Sequence, residues 1–315
     1  MLHGDGDIYL IYFENKDERF CYVVLQQDIS TSDKFTGKLD EGRYYDWETP
    51  YGYGGPLADK AISDISQKLF EKEIKSYCQN NNIISQFVRF HPLLANENVI
   101  PDIIESRYMR ETIYIDTSDN ELIMKNMDTK NRNMVRKAKK EGVEIIFKPI
   151  DEFDNFIKMY NQTMKMKGAD EYYTFRKGYF ESLVQMNENA FIAYALYQGN
   201  VISGSIFFYN DRYIHYHLSG ADWNYRKYSP NNLLLYETAC RASKKGIKQF
   251  HLGGGMAEND SLFGFKKQFN KNGRVKFYVG RTVFDENAYN KLLEIRKESD
   301  SDFDMENLFM IQYRR

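Results

Sequence analysis

At 315 residues, with 42% aliphatic and aromatic and 28% charged residues, the chain can bury two cores of ordinary size and is not a disordered polypeptide. Its formal charge of −2 excludes a global positive field for nucleic acid or an anionic membrane. Cys21, Cys78 and Cys240 are odd in number and have no CxxC spacing, which argues against a disulfide framework and for reduced thiols.

No apolar run approaches the roughly eighteen residues of a membrane helix, and the N-terminal stretch lacks the basic and apolar regions of a signal peptide. A cytoplasmic protein without membrane insertion is therefore expected. The 25 tyrosines beside 22 phenylalanines suit grooves that hold polar ligands, or simply strands.

In chain order, Ile8–Phe13 and Arg19–Leu25 read as a β-hairpin. The glycine-rich stretch Asp46–Pro56 reads as a loop feeding a helix over Ala58–Cys78, with strands at Ile83–Phe90 and Glu111–Ile115. A basic helix within Leu122–Glu141 is closed by Gly142 and followed by a strand. The domain junction is set here.

Asp151–Lys167 and Phe175–Met186 read as helices. Phe191–Tyr197, Val201–Tyr209 and Tyr213–Ser219, separated by turn-prone triplets, form an antiparallel meander. A helix over Asn231–Lys245, a strand over Ile247–Gly253, a strand over Arg274–Phe284 and a helix over Asn287–Lys297 complete the chain. Domains are expected at 1–145 and 146–282, with a helical segment over 283–315 packing back on the first.

The meander, the helix and the following strand occur in the order of a GNAT acyltransferase core. Three motifs add to that order: TPYGYGGP at Thr49–Pro56, RNMVRKAKKEGV at Arg132–Val143, and HLGGG with SLFGFKKQF between His251 and Phe269. Together they resemble the Fem-like branch of the GNAT superfamily. That resemblance implies an α/β protein of two tandem GNAT-like domains, each a mixed, largely antiparallel sheet flanked by helices, with transfer chemistry in the second.

It further implies aminoacyl transfer from aminoacyl-tRNA to an amine of a muropeptide or other sugar-nucleotide precursor in peptidoglycan synthesis, with no tightly bound cofactor and no metal. Two alternatives stay open: an acyl-CoA-dependent N-acyltransferase acting on an amino sugar or polysaccharide precursor, and a non-catalytic protein that binds precursor or tRNA. Against acyl-CoA, the segment Arg226–Asn231 carries side chains where a pyrophosphate loop needs glycines.

Aminolysis needs oxyanion stabilisation and positioning rather than a covalent nucleophile. The resemblance assigns the cation to Lys266, walled by Phe265; the alternative is a solvated helix-face lysine. Tyr216 and His217 are the other catalytic candidates. Alternation puts His215 and His217 on one face of their strand and Tyr216 on the other, and a histidine there is a candidate general base near neutral pH.

The resemblance gives Tyr173, Arg176 and Tyr179 to the acceptor, with Arg176 on its phosphates. Tyr51, Tyr53 and Gly54 are expected to line the acceptor groove, and Tyr228, Asn231, Gly253 and Gly254 to line the substrate site, structural turns being the alternative. Arg132, Arg136 and Lys137 form the concentrated basic patch, a candidate contact for tRNA or an ordinary solvated helix face.

Overall fold

The computed structural model describes residues 6–168, 175 and 177–315. The chain begins with β1 (Asp7–Asn15), β2 (Glu18–Asp28), β3 (Tyr45–Glu48), β4 (Leu57–Ala58), α1 (Asp64–Asn80), β5 (Ile83–Arg89) and β6 (Glu105–Asp116). It continues with α2 (Asn120–Asn126), α3 (Thr129–Lys140), β7 (Glu144–Pro149), α4 (Asp154–Lys167), α5 (Lys177–Leu183), β8 (Ala190–Tyr197), β9 (Asn200–Tyr209) and β10 (Tyr213–Ala221). It finishes with α6 (Pro230–Lys244), β11 (Gln249–Gly253), α7 (Ser261–Lys267), β12 (Arg274–Val283) and α8 (Glu286–Ser299).

Two compact units result among the described residues, one from 6–109 together with Lys276–Arg315, the other from Arg110–Val275. The boundaries expected at 145 and 282 therefore move. Backbone pairing is the reason: β6 lies against β11 from Asp116↔Gln249 to Gly253↔Ile113, and β12 lies against β5 from Val279↔Arg89 to Val283↔Ser85. The first unit is discontinuous in sequence and the second is one uninterrupted run.

The first unit has the strand order β1-β2-β3-β5-β12, with β4 beside β2. Asp46–Glu48, expected as loop, belongs to the strand Tyr45–Glu48 because Asp46 and Trp47 are buried between β2 and β5. β5 is covered on both faces, so that its central Ser85 and Gln86 are buried along with Ile83, Ile84 and Val88. Ile83 and Val88 join Phe70, Ile74 and Cys78 of α1 at successive helical turns. Ile84 meets Leu292 and Leu293 of α8 and the C-terminal Tyr313.

The second unit has the order β6-β11-β10-β9-β8-β7. One face carries α6, which buries Leu234, Leu235, Ala239 and Ala242. α4 contacts β9 and β10. Phe156, Tyr160 and Phe180 form an aromatic cluster in this unit, with Tyr160 and Phe175 stacked at 5.9 Å.

Gly220 of β10 permits the approach of α4: a Cβ there would lie 2.7 Å from the Tyr160 amide nitrogen and 2.9 Å from the Met159 carbonyl carbon. Because that obstacle is helix backbone, Gly220→Ala is expected to lower unfolding free energy by roughly 1–3 kcal/mol, measured by urea denaturation.

The units share a connectivity. In each, a strand leads through a helix to a parallel strand whose far side takes an antiparallel strand: β3–α1–β5 with β12, and β10–α6–β11 with β6. The tandem α/β arrangement is present. No helix of the described residues is long and apolar enough to cross a membrane.

Candidate functional site

The two strand–helix–strand units differ in how far their parallel strands stay paired. In the first unit, pairing of β3 with β5 runs to Glu48↔Phe87 and is then prolonged by the glycine-rich loop. The Thr49 amide donates to the Phe87 carbonyl at 3.0 Å, the Gly54 amide donates to the Arg89 carbonyl at 2.7 Å, and Gly54 bridges Phe90. The buried Asn96 locks this seam by donating to the Gly54 carbonyl at 2.7 Å and accepting from the His91 amide at 2.9 Å. Gly55, at φ +88°, has Asn96, Phe90 and Val88 at 3.0–3.1 Å from where a Cβ would sit. The glycines of TPYGYGGP thus close a seam.

In the second unit the seam stays open. The parallel register of β10 with β11 runs from Tyr213↔Gln249 only to His215↔His251. Beyond it β10 continues along β9 with a bulge between Tyr216 and Leu218, while β11 stays with β6 and is bulged between His251 and Gly253. A wedge between two parting parallel strands is a place where a ligand can meet backbone groups.

Lys266 belongs to this region. It is 7% exposed, donates from Nζ to the Gly254 carbonyl at 2.7 Å, and lies 5.8 Å from the centre of the Tyr216 ring. The solvated helix-face reading is therefore wrong for Lys266: a buried ammonium needs such partners to offset desolvation. Its helix is fixed by Asp260, whose carboxylate accepts from the amides of Phe263 at 2.7 Å, Met256 at 2.7 Å and Ala257 at 3.1 Å. Burial pushes the Asp260 carboxyl up, but these backbone donors outweigh it and hold it below its ordinary value. Gly255 is needed because a side chain there would run into the Asp260 carboxylate. Gly253 adopts φ +75°.

Tyr216 stacks on Phe207 at 5.7 Å, and burial raises its hydroxyl pKa against the opposing hydrogen bonds of Ser219 and Ser205. It stays protonated at neutral pH and is a donor. His217 lies on the face that also holds His215, with the two ring centres 6.3 Å apart. It packs on Phe208 at 4.3 Å and hydrogen-bonds to the Tyr179 hydroxyl.

Burial pushes the His217 imidazole down to about 3. It is thus a poor general base at neutral pH, contrary to the expectation. In an NMR titration its ring resonances are expected to stay still between about pH 5 and 8, where an exposed histidine moves through its transition.

A second histidine pair escaped the sequence reading. His215 Nδ1 lies 3.1 Å from His251 Nδ1 with the rings stacked at 5.3 Å, and His251 Nε2 lies 2.9 Å from Thr112 Oγ1. His251 opens the HLGGG motif, but its partners come from two other strands. Among the described residues no group of three His, Cys, Asp or Glu could hold a metal.

The other candidates disperse. Tyr51, Tyr53 and Gly54 belong to the first unit, where Tyr53 packs edge-on against Phe277 at 5.2 Å and His91 at 5.8 Å. Tyr173 and Arg176 lie outside the described residues. Tyr179 is buried with Phe175 and Phe180 and reaches His217 through its hydroxyl. Phe265 packs on Phe269 at 5.3 Å beside Lys266.

Tyr228 stacks on Tyr197 at 4.3 Å, and Asn231 accepts from the Ser203 hydroxyl. Arg132 caps the end of α2, donating to the Met127 carbonyl at 3.0 Å and to Thr129 Oγ1 at 2.8 Å. Arg136 and Lys137 are exposed.

Residues 125–267 match the acetyltransferase (GNAT) domain family. No curated protein matches the sequence. Among solved structures, FemX is similar with a TM-score of 0.68 at 10% identity, over 91% of this chain and 90% of that one. L-PGS from Bacillus licheniformis gives 0.53 at 13% identity over 91% and 88%, and a tandem GNAT protein from the clavulanic acid biosynthesis pathway gives 0.50 at 9% over 90% and 85%. At these identities the likeness is one of fold. The family match covers the open wedge and Lys266, and the fold is one held in common with FemX.

Proposed function

We propose that the second unit transfers an aminoacyl group from aminoacyl-tRNA to an amine of a muropeptide precursor. The observation that carries this reading is the state of the α6 N-terminus. A CoA pyrophosphate is gripped by exposed backbone N–H groups at such an end. Here Pro230 removes one N–H, and the Ser229 amide is already given to the Arg226 carbonyl at 3.0 Å. Ser229 itself sits at φ +54° with its hydroxyl on Met134 Sδ at 3.3 Å. The end is filled by side chains, which favours a donor held by other contacts.

In this reading the acceptor amine attacks the ester carbonyl of the donor. The Lys266 ammonium and the Tyr216 hydroxyl face the oxyanion that develops, in surroundings where burial strengthens both interactions. The amine sheds one proton and the departing ribose hydroxyl gains one. The His215–His251 pair is the candidate for holding that proton, since His217 is not basic enough. Arg136 and Lys137 are the exposed cations available to a tRNA backbone.

Calorimetric titration of the protein with UDP-linked muropeptide, charged tRNA and acetyl-CoA tests the assignment. Saturable binding of muropeptide and tRNA with no response to acetyl-CoA is expected. Tight acetyl-CoA binding without the other two would replace it by the acyl-CoA-dependent alternative.

A further inference from the structure

The first unit contains a cavity of about 450 Å³ that the transfer reaction does not use, within the usual size range of small-molecule sites. Its floor is sheet, from Phe87 of β5, Val279 of β12 and Met109 after β6 begins. Its wall is the C-terminal segment at Met310 and Ile311. Seven of its eleven lining residues are apolar.

The polar groups at its edge are mostly spent on one another. Glu48 takes Arg89 at 3.2 Å and Arg314 at 3.1 Å, Arg314 is also held by Asp46 at 2.5 Å, and Arg89 donates to the Thr49 carbonyl at 3.1 Å. Two arginines are thereby balanced by two carboxylates. Arg107 is left as the uncompensated charge: among the described residues it has no carboxylate partner and gives Nη2 to the Leu308 carbonyl at 2.7 Å. A guanidinium has five N–H donors, so most of its capacity faces outward. At the mouth, Leu308 is 83% and Phe309 56% exposed, forming an apolar rim.

We propose that this cavity binds a single-chain amphiphile, an alkyl or acyl chain with an anionic head, the chain lying against Phe87, Val279 and Met310 and the head paired with Arg107. A peptide or a sugar fits poorly, because its many amides or hydroxyls would enter a cavity whose polar groups are already matched, and each unmatched group is costly. A cationic head would meet Arg107 as a like charge. A carboxylate and a phosphate monoester share the required chemistry, since both present two oxygens to a guanidinium.

The test is calorimetric titration of the full chain with decanoate and with decyl phosphate, beside decyltrimethylammonium and decyl maltoside. Saturable one-to-one binding of an anion is expected, about tenfold or more tighter than either control, and the tighter of the two anions identifies the head. Arg107→Gln should weaken anion binding about tenfold without changing the melting temperature. Met109→Trp, which fills the cavity from a half-exposed position, should weaken all four ligands. The proposal is overturned by the absence of saturable anion binding, by equal binding of the cationic amphiphile, or by anion affinity that is indifferent to both variants in the folded protein. None of these readouts involves acyl transfer, so failure here leaves the aminoacyl-transfer reading standing, and the reverse also holds.

Discussion

Replacing Lys266 with methionine is expected to lower acyl transfer about 100-fold or more, the usual effect of losing one oxyanion donor, while the protein remains folded. Methionine keeps most of the side-chain volume, so packing against Tyr216 survives and the ammonium alone is lost. The loss should fall on kcat with KM little changed, because the charge it stabilises exists only in the transition state. Lys267→Met, one residue further along α7 and not buried, should have almost no effect. Rates of amide formation from charged tRNA and UDP-linked muropeptide, with a thermal melt of each variant, make the comparison. If Lys266→Met transferred at the parental rate, the chemistry assigned to Lys266 would be wrong; absence of transfer by the parent itself would favour the non-catalytic binding reading.

The second large effect concerns the C-terminal anchor. Arg314→Ala should lower unfolding free energy by roughly 3–5 kcal/mol, the range for removing one partner of a buried ion pair. It would leave Asp46, 3% exposed, and Glu48 facing each other without their shared cation. Tyr313 is part of the same cluster, donating from its hydroxyl to Asp46 at 2.8 Å, with Ser85 at 2.8 Å.

The pH dependence follows from Glu48. Burial pushes its carboxyl up, but Arg314 and Arg89 together prevail and hold it below the ordinary value. A carboxyl depressed in the folded state stabilises fully above its unfolded pKa, about 4.3, and that stability is lost as pH falls through the folded value. Urea midpoints of the parent should therefore drop below about pH 4, and those of Arg314→Ala should drop less over the same interval. Equal slopes would show that the anchor is not what acid breaks.

Much of the second unit was legible because its signals are local. The meander is marked by turn triplets and α6 by its apolar spacing and Gly246, while Lys266 is singled out by the family resemblance of its motif. What escaped is set by pairing between distant segments. Nothing within Tyr213–Ala221 says that its register with β11 stops at His215, and so the wedge could not be seen. His251 looked like the start of a glycine motif, while its role comes from His215 and Thr112 on neighbouring strands. Tyr45–Glu48 is too short to show alternation beside a glycine-rich loop, and Arg132 looked like one more surface cation because its carbonyl partners at the end of α2 carry no sequence signature. His217 kept its promising position but lost its basicity to burial, which local pattern does not report.

The discontinuous first unit also sets an order of events during synthesis. Arg110–Val275 holds all of its strands in one run and can reach its native pairing while the ribosome is still adding residues. The earlier half has its β5 edge waiting for β12, and its apolar surface at Ile84 waiting for α8 and Tyr313. That surface must stay uncovered through the translation of more than half the chain, roughly ten seconds or more at ordinary elongation rates. The part of the chain made first is thus completed last, and a nascent-chain chaperone has more to protect there than in the half that carries Lys266.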